Sequence, residues 1–457
     1  GVRTTKFEYN KILGFTDFIS QLESTNQLVR IKKTVNPKFE LAAIVSKLDN
    51  GKAVLFESIK DSKVKVAANV LGTRNRVALS INSKNENLIQ EKINEAIKTT
   101  SEITNIDDTI NWDRISKNLF DLPIITHFEK DSGAFITSSL VIAKDAETGR
   151  QNLSTHRLLR LDKSRMAIRM VEGRHLHKCF TGAKEHNEDL PVSIIIGAHP
   201  AISIAAAYQA PYGENELNIA NSLMNNRLTI TKSPGTGLYV PKNVEILLEG
   251  RILADETAEE QMVEMLRTYD FKRRQPIFEL DKIYLTNDPI YHDILPGYGE
   301  HRLLMGLPIE SKLFHFIKDV VSGTRTVHLT DGGCNWLVAV IQIRKKLEGE
   351  PMNAIAAAFA GHPSLKIAIV VDDDINPRNP SEVEYAISTR CQADKDLLII
   401  PNSKGSSLDP SSDQKNLLTT KMGIDATATL LKSKDRFEIA KIPGEEKIKL
   451  SDYMQSI

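Results

Sequence analysis

Apolar spacing along the chain changes character twice. In the first hundred residues, FTDFISQLESTNQLVRI predicts an amphipathic helix leading into a strand, and LAAIVSKL keeps helical spacing. AVLFESI reads as a short buried strand, KVKVAANVLG alternates and stops at Gly72, and NLIQEKINEAIKTT closes the stretch as a helix. The pattern predicts a small α/β domain over 1–105, with Arg74 and Arg76 of TRNRVAL as solvated loop charges. NIDDTINWD reads as a linker. From Leu122 to about Gly297 short apolar runs separated by turn residues (PIITHF, AFITSSLVIA, MAIRMV, VSIIIG, RLTITKS, EILLEGRIL, FELDKIYL) predict a β-rich barrel or sandwich over 106–298. HPAISIAAAYQAPYGENELNIANSLM interrupts it as two helices about a Pro-Tyr-Gly turn. Beyond about Glu300 helices and strands alternate: RTVHLTDGG is a strand running into a turn, NWLVAVIQIRKK and NAIAAAFAG read as helices, and LKIAIVVDDDI and KDLLIIPNS as strands. Such alternation predicts an α/β domain with a parallel sheet over 299–457. The fold class is therefore mixed α/β.

Composition narrows the function classes. The 457 residues carry 59 basic and 59 acidic side chains, so net charge makes no case for a nucleic-acid partner. Cys179, Cys334 and Cys391 are far apart and form no CxxC pair, which favours a reducing, cytoplasmic setting over a disulfide framework or zinc ribbon. No apolar run reaches the ~18–20 residues of a membrane span, and GVRTTKFEYN lacks the apolar core of a signal peptide. Neither GxGxxG nor GxxxxGK[ST] occurs at a strand-to-helix junction, which argues against the common dinucleotide and P-loop sites.

Chemistry concentrates between Gly149 and Phe180, where Asn152, Ser154, His156, Arg157, Arg174, His175 and His177 stand among apolar strands. MAIRM alternates like a strand with one buried face, so these groups belong either to the converging ends of neighbouring strands or to a charged surface hairpin. Asn152, His175 and Glu216 form a candidate set for a hard divalent cation, which favours oxygen ligands with at most an imidazole added. AEEQMVEM supplies Glu259, Glu260 and Glu264, either as the wet face of a helix or as carboxylates beside Arg157. In the second case the arginine grips a substrate carboxylate and a glutamate of raised pKa delivers a proton.

The stretch ITSSLVIAKDAETGRQNLSTHRLLRLDKSRMAIRM resembles the core of the UbiD family of decarboxylases. HPAISIAAAYQAPYGENEL, YVPKNVEILLEGRI, NDPIYHDILPGYGEHRLLMGLP, VVDDDI with AISTRCQADKDLLIIPNSKGSSLDP, and KMGIDAT agree in the same order, so the similarity runs from roughly Leu41 to Thr427. The resemblance implies a central FMN-binding split β-barrel between N- and C-terminal α/β domains, the last contributing to oligomerisation. It implies prenylated FMN as cofactor, with Asn152, His175 and Glu216 holding Mn2+ or Mg2+ against the cofactor phosphate and K+ nearby. Thr137, Ser154 and Arg174 fall where the flavin is lined. Arg157 matches the active-site arginine, Glu264 the proton donor, and Glu259 the carboxylate that positions the arginine.

The chain departs from the family at one place. Where EGPF(G/V)(E/D) and a Gly-containing turn are usual, this sequence reads EEQMVEMLRTYD, a run that favours helix. The resemblance implies a small carboxylic acid substrate. This is either trans-anhydromevalonate 5-phosphate in archaeal isoprenoid synthesis, with Arg174, His177, Lys178 and Arg267 available to a phosphate, or an aromatic or phenolic acid. It also implies a homo-oligomer, dimer or hexamer, and an FMN prenyltransferase as cofactor supplier. A paralogue that binds flavin or metal without chemistry is the reading that the altered loop motivates.

Overall fold

The computed structural model describes residues 9–109, 112–208, 210 and 214–455. The chain divides into two compact units, 1–311 with 407–410 and 312–406 with 411–457.

Among the described residues the first unit holds three sheets. A four-stranded sheet runs in the order Leu28–Ile31, Ala53–Phe56, Lys65–Ala68, Ile290–Asp293. Its fourth strand, parallel to Lys65–Ala68, comes from far downstream. Phe15, Phe18 and Leu22 on one face of the helix Phe15–Ser24 bury into a core with Leu55, Ala67 and Leu71. Arg76 belongs to this interior and is not a solvated charge. It is 1% exposed and donates from Nε to the Val70 carbonyl (2.9 Å) and from Nη2 to that of Asn69 (2.8 Å). Buried carbonyls need donors, and a guanidinium supplies several in one plane. Arg74 is also paired, meeting both oxygens of Glu310 at 2.8 Å. The linker expected near Asp107 is tied down as well, because Asn105–Ile106 pairs with Thr229–Lys232; residues 110–111 lie outside the described residues.

The site is built on a nine-stranded antiparallel sheet. Its path is Phe135–Ile136, Leu158–Arg160, Arg165–Ile168, Arg273–Leu285, Ile246–Glu260, Leu190–Ile196, Leu140–Lys144, Gln151–Thr155, with Arg114–Ser116 beside Arg273–Leu285. The long hairpin Ile246–Glu260/Arg273–Leu285 shifts register at Glu249/Gly250 and again between Ile252 and Thr257. Gly250 is required at the first shift. A Cβ there would lie 2.0 Å from the Glu279 carbonyl oxygen and 2.7 Å from the Phe278 ring. Gly250→Ala is expected to destabilise the protein by about 2 kcal/mol, read as a lower urea midpoint at unchanged slope, because a backbone carbonyl cannot step aside cheaply. Helices Pro200–Ala207 and Glu216–Leu223 form as expected, while Gln209 and the Pro-Tyr-Gly turn between them lie outside the described residues.

The second unit carries a five-stranded sheet ordered Thr324–Leu329, Val338–Ile343, Ile367–Asp372, Leu418–Ala426, Leu397–Lys404. The central three strands are parallel and both outer pairings antiparallel, so the sheet is mixed where a parallel one was expected. NWLVAVIQIRKK is not a helix. Cys334 and Asn335 take positive φ (59° and 55°) in a tight turn, and the β-branched VAVIQI then runs extended between two strands. Among the described residues no helix is long and apolar enough to cross a membrane.

Candidate active site

Arg157 lies between the strands Gln151–Thr155 and Leu158–Arg160, with its side chain 11% exposed. Glu260 meets it with both oxygens, Nε to Oε2 at 2.8 Å and Nη2 to Oε1 at 2.7 Å. Nη1 donates to Glu264 (2.7 Å) and Nη2 also to Asp270 (3.0 Å). Asp270 is held on its other side by Arg273, Nε at 2.9 Å and Nη2 at 3.0 Å.

Glu259 is not in this network. The strand Ile246–Glu260 continues through it, with Glu259 opposite Arg274 and Glu260 opposite Arg273. Side chains alternate on a strand. Ala258 packs against the Phe135, Leu159, Ala167 and Met262 cluster, so Glu260 shares its inward face and Glu259 is exposed. The helix expected for EEQMVEML does not form. The chain stays extended to Val263, which bridges Tyr269, and turns between them, with the Glu264 N–H on the Thr268 carbonyl (2.9 Å). Arg267 takes φ 62° in that turn, a left-handed conformation that favours glycine, and its guanidinium lies 4.8 Å from the Tyr298 ring centre.

The turn is clasped from outside by the segment Phe128–Ser132. Asp131 accepts from the N–H groups of Phe128 (3.1 Å) and Val263 (3.3 Å), Ser132 and Gln261 exchange two bonds, and Tyr269 accepts from the Lys130 N–H (2.7 Å). Burial pushes the Asp131 carboxyl up to about 6, against the fields of His127 and Arg157. The buried His127 places Nε2 on Asp293 at 2.8 Å.

The carboxylates facing Arg157 are electrostatically unequal. Burial raises the Glu264 carboxyl above its ordinary range; Arg157 opposes this and Asp270 adds to it. Burial also disfavours the Asp270 anion, but Arg273 and Arg157 outweigh it and hold that carboxyl below its ordinary range. Of these two carboxyls Glu264 is therefore the more easily protonated, the direction in which neighbouring carboxyls divide into acid and anion. Arg157 stays firmly charged: burial works against its charge, but the bond to Glu260 and the three acidic fields prevail. His301, close enough to feel Arg157, is kept neutral by burial, its pKa lowered to about 4.

A second cluster forms about Asn152, on the strand Gln151–Thr155 that precedes Arg157. His175 Nδ1 is 3.0 Å from Asn152 Oδ1 and 3.6 Å from Glu216 Oε1, so the three proposed ligands converge. Asn152 and Glu216 are 7% and 2% exposed. His175 opens the helix His175–Glu185 and Glu216 opens Glu216–Leu223, so two helix N-termini face this place. Glu216 accepts the Leu153 N–H (2.9 Å), and burial pushes its carboxyl up to about 7. A buried carboxylate with that cost beside a carbonyl oxygen and an imidazole has the donor chemistry of a hard divalent site.

Ser154 and His156 join the two clusters. The Asn152 amide donates to Ser154 Oγ (3.3 Å), whose hydroxyl is 2.6 Å from His156 Nε2. His156 Nδ1 donates to the Arg169 carbonyl at 2.8 Å, so Nε2 accepts the serine proton. Thr137 donates to Asp293 Oδ1 (3.3 Å) and accepts from the Ile294 N–H (3.0 Å). Arg174 is exposed at the head of its helix, and His177 Nδ1 accepts the Gly173 N–H there at 3.1 Å. Glu260, Asp270 and Arg273 were not singled out as a network by the sequence; two-residue alternation through DETAEEQ held the signal for the first.

Three family models cover most of the chain. They describe the N-terminal domain of 3-octaprenyl-4-hydroxybenzoate carboxy-lyase (residues 19–97), its Rift-related domain (102–299) and its C-terminal domain (302–426). The chain belongs to the UbiD family. A UbiD-family relative, the anhydromevalonate phosphate decarboxylase of Methanocaldococcus jannaschii, is 42% identical over 411 residues, covering 89% of this chain and 96% of that protein. The UbiD-class enzyme HmfF from Pelotomaculum thermopropionicum, solved in complex with FMN, superposes with a TM-score of 0.93 at 35% identity, covering 96% of this chain and 100% of that one. An evolved dimeric form of HmfF, solved with prFMN, gives 0.88 at 33% identity with coverage of 96% and 100%.

Proposed function

We propose that this UbiD-family protein is a non-oxidative carboxy-lyase acting on an α,β-unsaturated acid, with trans-anhydromevalonate 5-phosphate as substrate and prenylated FMN as cofactor. The observation that carries the reading is one buried arginine holding three carboxylates, of which Glu264 is pushed towards its protonated form. The similarity to the Methanocaldococcus enzyme supports the substrate, and the flavin in both HmfF structures supports the cofactor. Asn152, His175 and Glu216 would hold Mn2+ or Mg2+, with K+ nearby, and the two helix N-termini suit a phosphate.

When bound, the flavin supplies the electron sink that no side chain offers for the pair left on an sp² carbon. This chain's residues do the rest. Arg157 fixes Glu260, Glu264 and Asp270 around one point. The bond from carbon to carboxylate breaks, CO2 leaves, and the Glu264 carboxyl transfers its proton to that carbon. Water then reprotonates the glutamate.

The test is Glu216→Gln in protein co-expressed with an FMN prenyltransferase. Losing the charge at the ion should lower metal content by mass spectrometry and flavin absorbance together, each by about tenfold or more at equal protein. Retention of both at wild-type stoichiometry would remove Glu216 from the site.

A further inference from the structure

Arg157 cannot offer a substrate a bidentate clamp. Four of its five N–H bonds already point at Glu260, Glu264 and Asp270. A bidentate clamp on another oxyanion needs two parallel donors, and Arg157 retains one. Arg273 is also engaged, with Nε and Nη2 on Asp270.

Arg169 differs. It follows the strand Arg165–Ile168, and its backbone is pinned on both sides, the N–H to the Arg157 carbonyl (3.1 Å) and the C=O by His156 Nδ1 (2.8 Å). Its half-buried side chain makes one bond, Nη1 to the Met170 carbonyl at 2.7 Å. Among the described residues it forms no ion pair. It nevertheless stands within the fields of Arg157, Arg273, Asp270 and Glu264. Three arginines, 157, 169 and 273, stand about Glu260, Glu264 and Asp270, with Asp131 within the field of Arg157. Arg157 and Arg273 are each ion-paired to these carboxylates, and Arg169 is the arginine of the three that none of them meets.

We infer that Arg169 is the receptor for an oxyanion of the bound substrate and thereby sets which acids the site accepts. The inference rests on the decarboxylase reading for the identity of the ligand as an acid. The oxyanion is either the carboxylate itself or a phosphate elsewhere on the molecule. Binding at a phosphate remote from the breaking bond adds affinity without holding back the CO2.

Arg169→Met keeps the length of the side chain and removes the charge; Arg169→Lys restores charge without the fork. Equilibrium binding is measured by calorimetry on flavin-loaded protein with trans-anhydromevalonate 5-phosphate and its unphosphorylated analogue, and turnover is measured alongside. Arg169→Met should weaken binding of the phosphorylated acid and raise KM by at least ~10-fold, with kcat within about threefold, and Arg169→Lys should recover part of the loss. If the phosphate is the partner, the analogue's binding does not change and inorganic phosphate competes with the substrate in wild type only. If the carboxylate is the partner, both acids weaken equally and phosphate does not compete. Unchanged binding of both acids by Arg169→Met, at an unaltered melting temperature, overturns the inference. A wild type that binds the acid and releases no CO2 overturns the decarboxylase reading instead, and the binding comparison still decides Arg169. Should the methionine variant fail to fold, Arg169→Gln serves in the same measurement.

Discussion

Glu264→Gln is expected to keep flavin and metal at wild-type levels and to release no measurable CO2. The side chain lies on Arg157 Nη1 and not on Asn152, His175 or Glu216, so cofactor retention has no reason to change. Glutamine matches the shape and the hydrogen bond to Arg157 but carries no transferable proton. A general acid contributes roughly 10²–10⁴-fold, and here its loss also blocks the return of a proton to carbon, so the cycle cannot close. The same variant should fail to exchange the vinylic proton of product with D2O. Wild type carries a pH signature. The donor works while protonated, so activity falls as pH rises through the Glu264 pKa, and burial places that limb above the ordinary carboxylate range. The apparent value belongs to Glu264 and Asp270 together. Full CO2 release by Glu264→Gln would end the donor assignment. Loaded wild type inactive on enoic and aromatic acids alike would favour a paralogue without chemistry.

The neighbouring pair should separate cleanly. Glu260→Gln removes a fully buried charge from the one carboxylate among the described residues that meets Arg157 with two bonds, and the arginine beside it stays charged. Breaking a buried ion pair on one side costs about 3 kcal/mol or more, reduced here because Glu264 and Asp270 remain. We expect lower stability together with a fall in turnover of about 10²-fold, since a small displacement of the arginine misaligns the acid it holds. Glu259→Gln alters an exposed side chain on the opposite face and should leave stability within about 0.5 kcal/mol. Its turnover should match wild type. Equal damage from both substitutions would mean that the register of the strand end differs from the one described.

That one-residue difference marks the limit of what could be read from the sequence. Motif matching placed the carboxylate at Glu259, because it compares letters in order. Strand alternation places it at Glu260, because Ala258 is anchored in an apolar cluster two residues earlier. Helix propensity misread EEQMVEML and NWLVAVIQIRKK for a related reason. In the first, a tight turn with Arg267 in the left-handed region leaves too little chain for a helix, and in the second the β-branched run Val338–Ile343 is paired between two strands. Asn152, His175 and Glu216 come from three separate elements, so no local spacing identified them as a set. Outside these two segments much of the order of helices and strands was legible, since apolar periodicity reports which face is buried. The burial of Arg76 was not, because only the folded chain presents it with the carbonyls of Asn69 and Val70.

The origin of the fourth strand in the N-terminal sheet bears on how the protein is made. Lys65–Ala68 finds its parallel partner, Ile290–Asp293, only after most of the first unit has been synthesised. Until then the nascent chain presents Ala67 and Ala68, fully buried in the finished protein, on an open strand edge of the kind that recruits other chains. Pairings between segments so distant in sequence form slowly. Asp293 at the end of the late strand also accepts from His127 and Thr137. Completion of the oldest part of the nascent chain and assembly of the catalytic surroundings are therefore one event, and a ribosome that stalls before residue 290 releases a chain with neither.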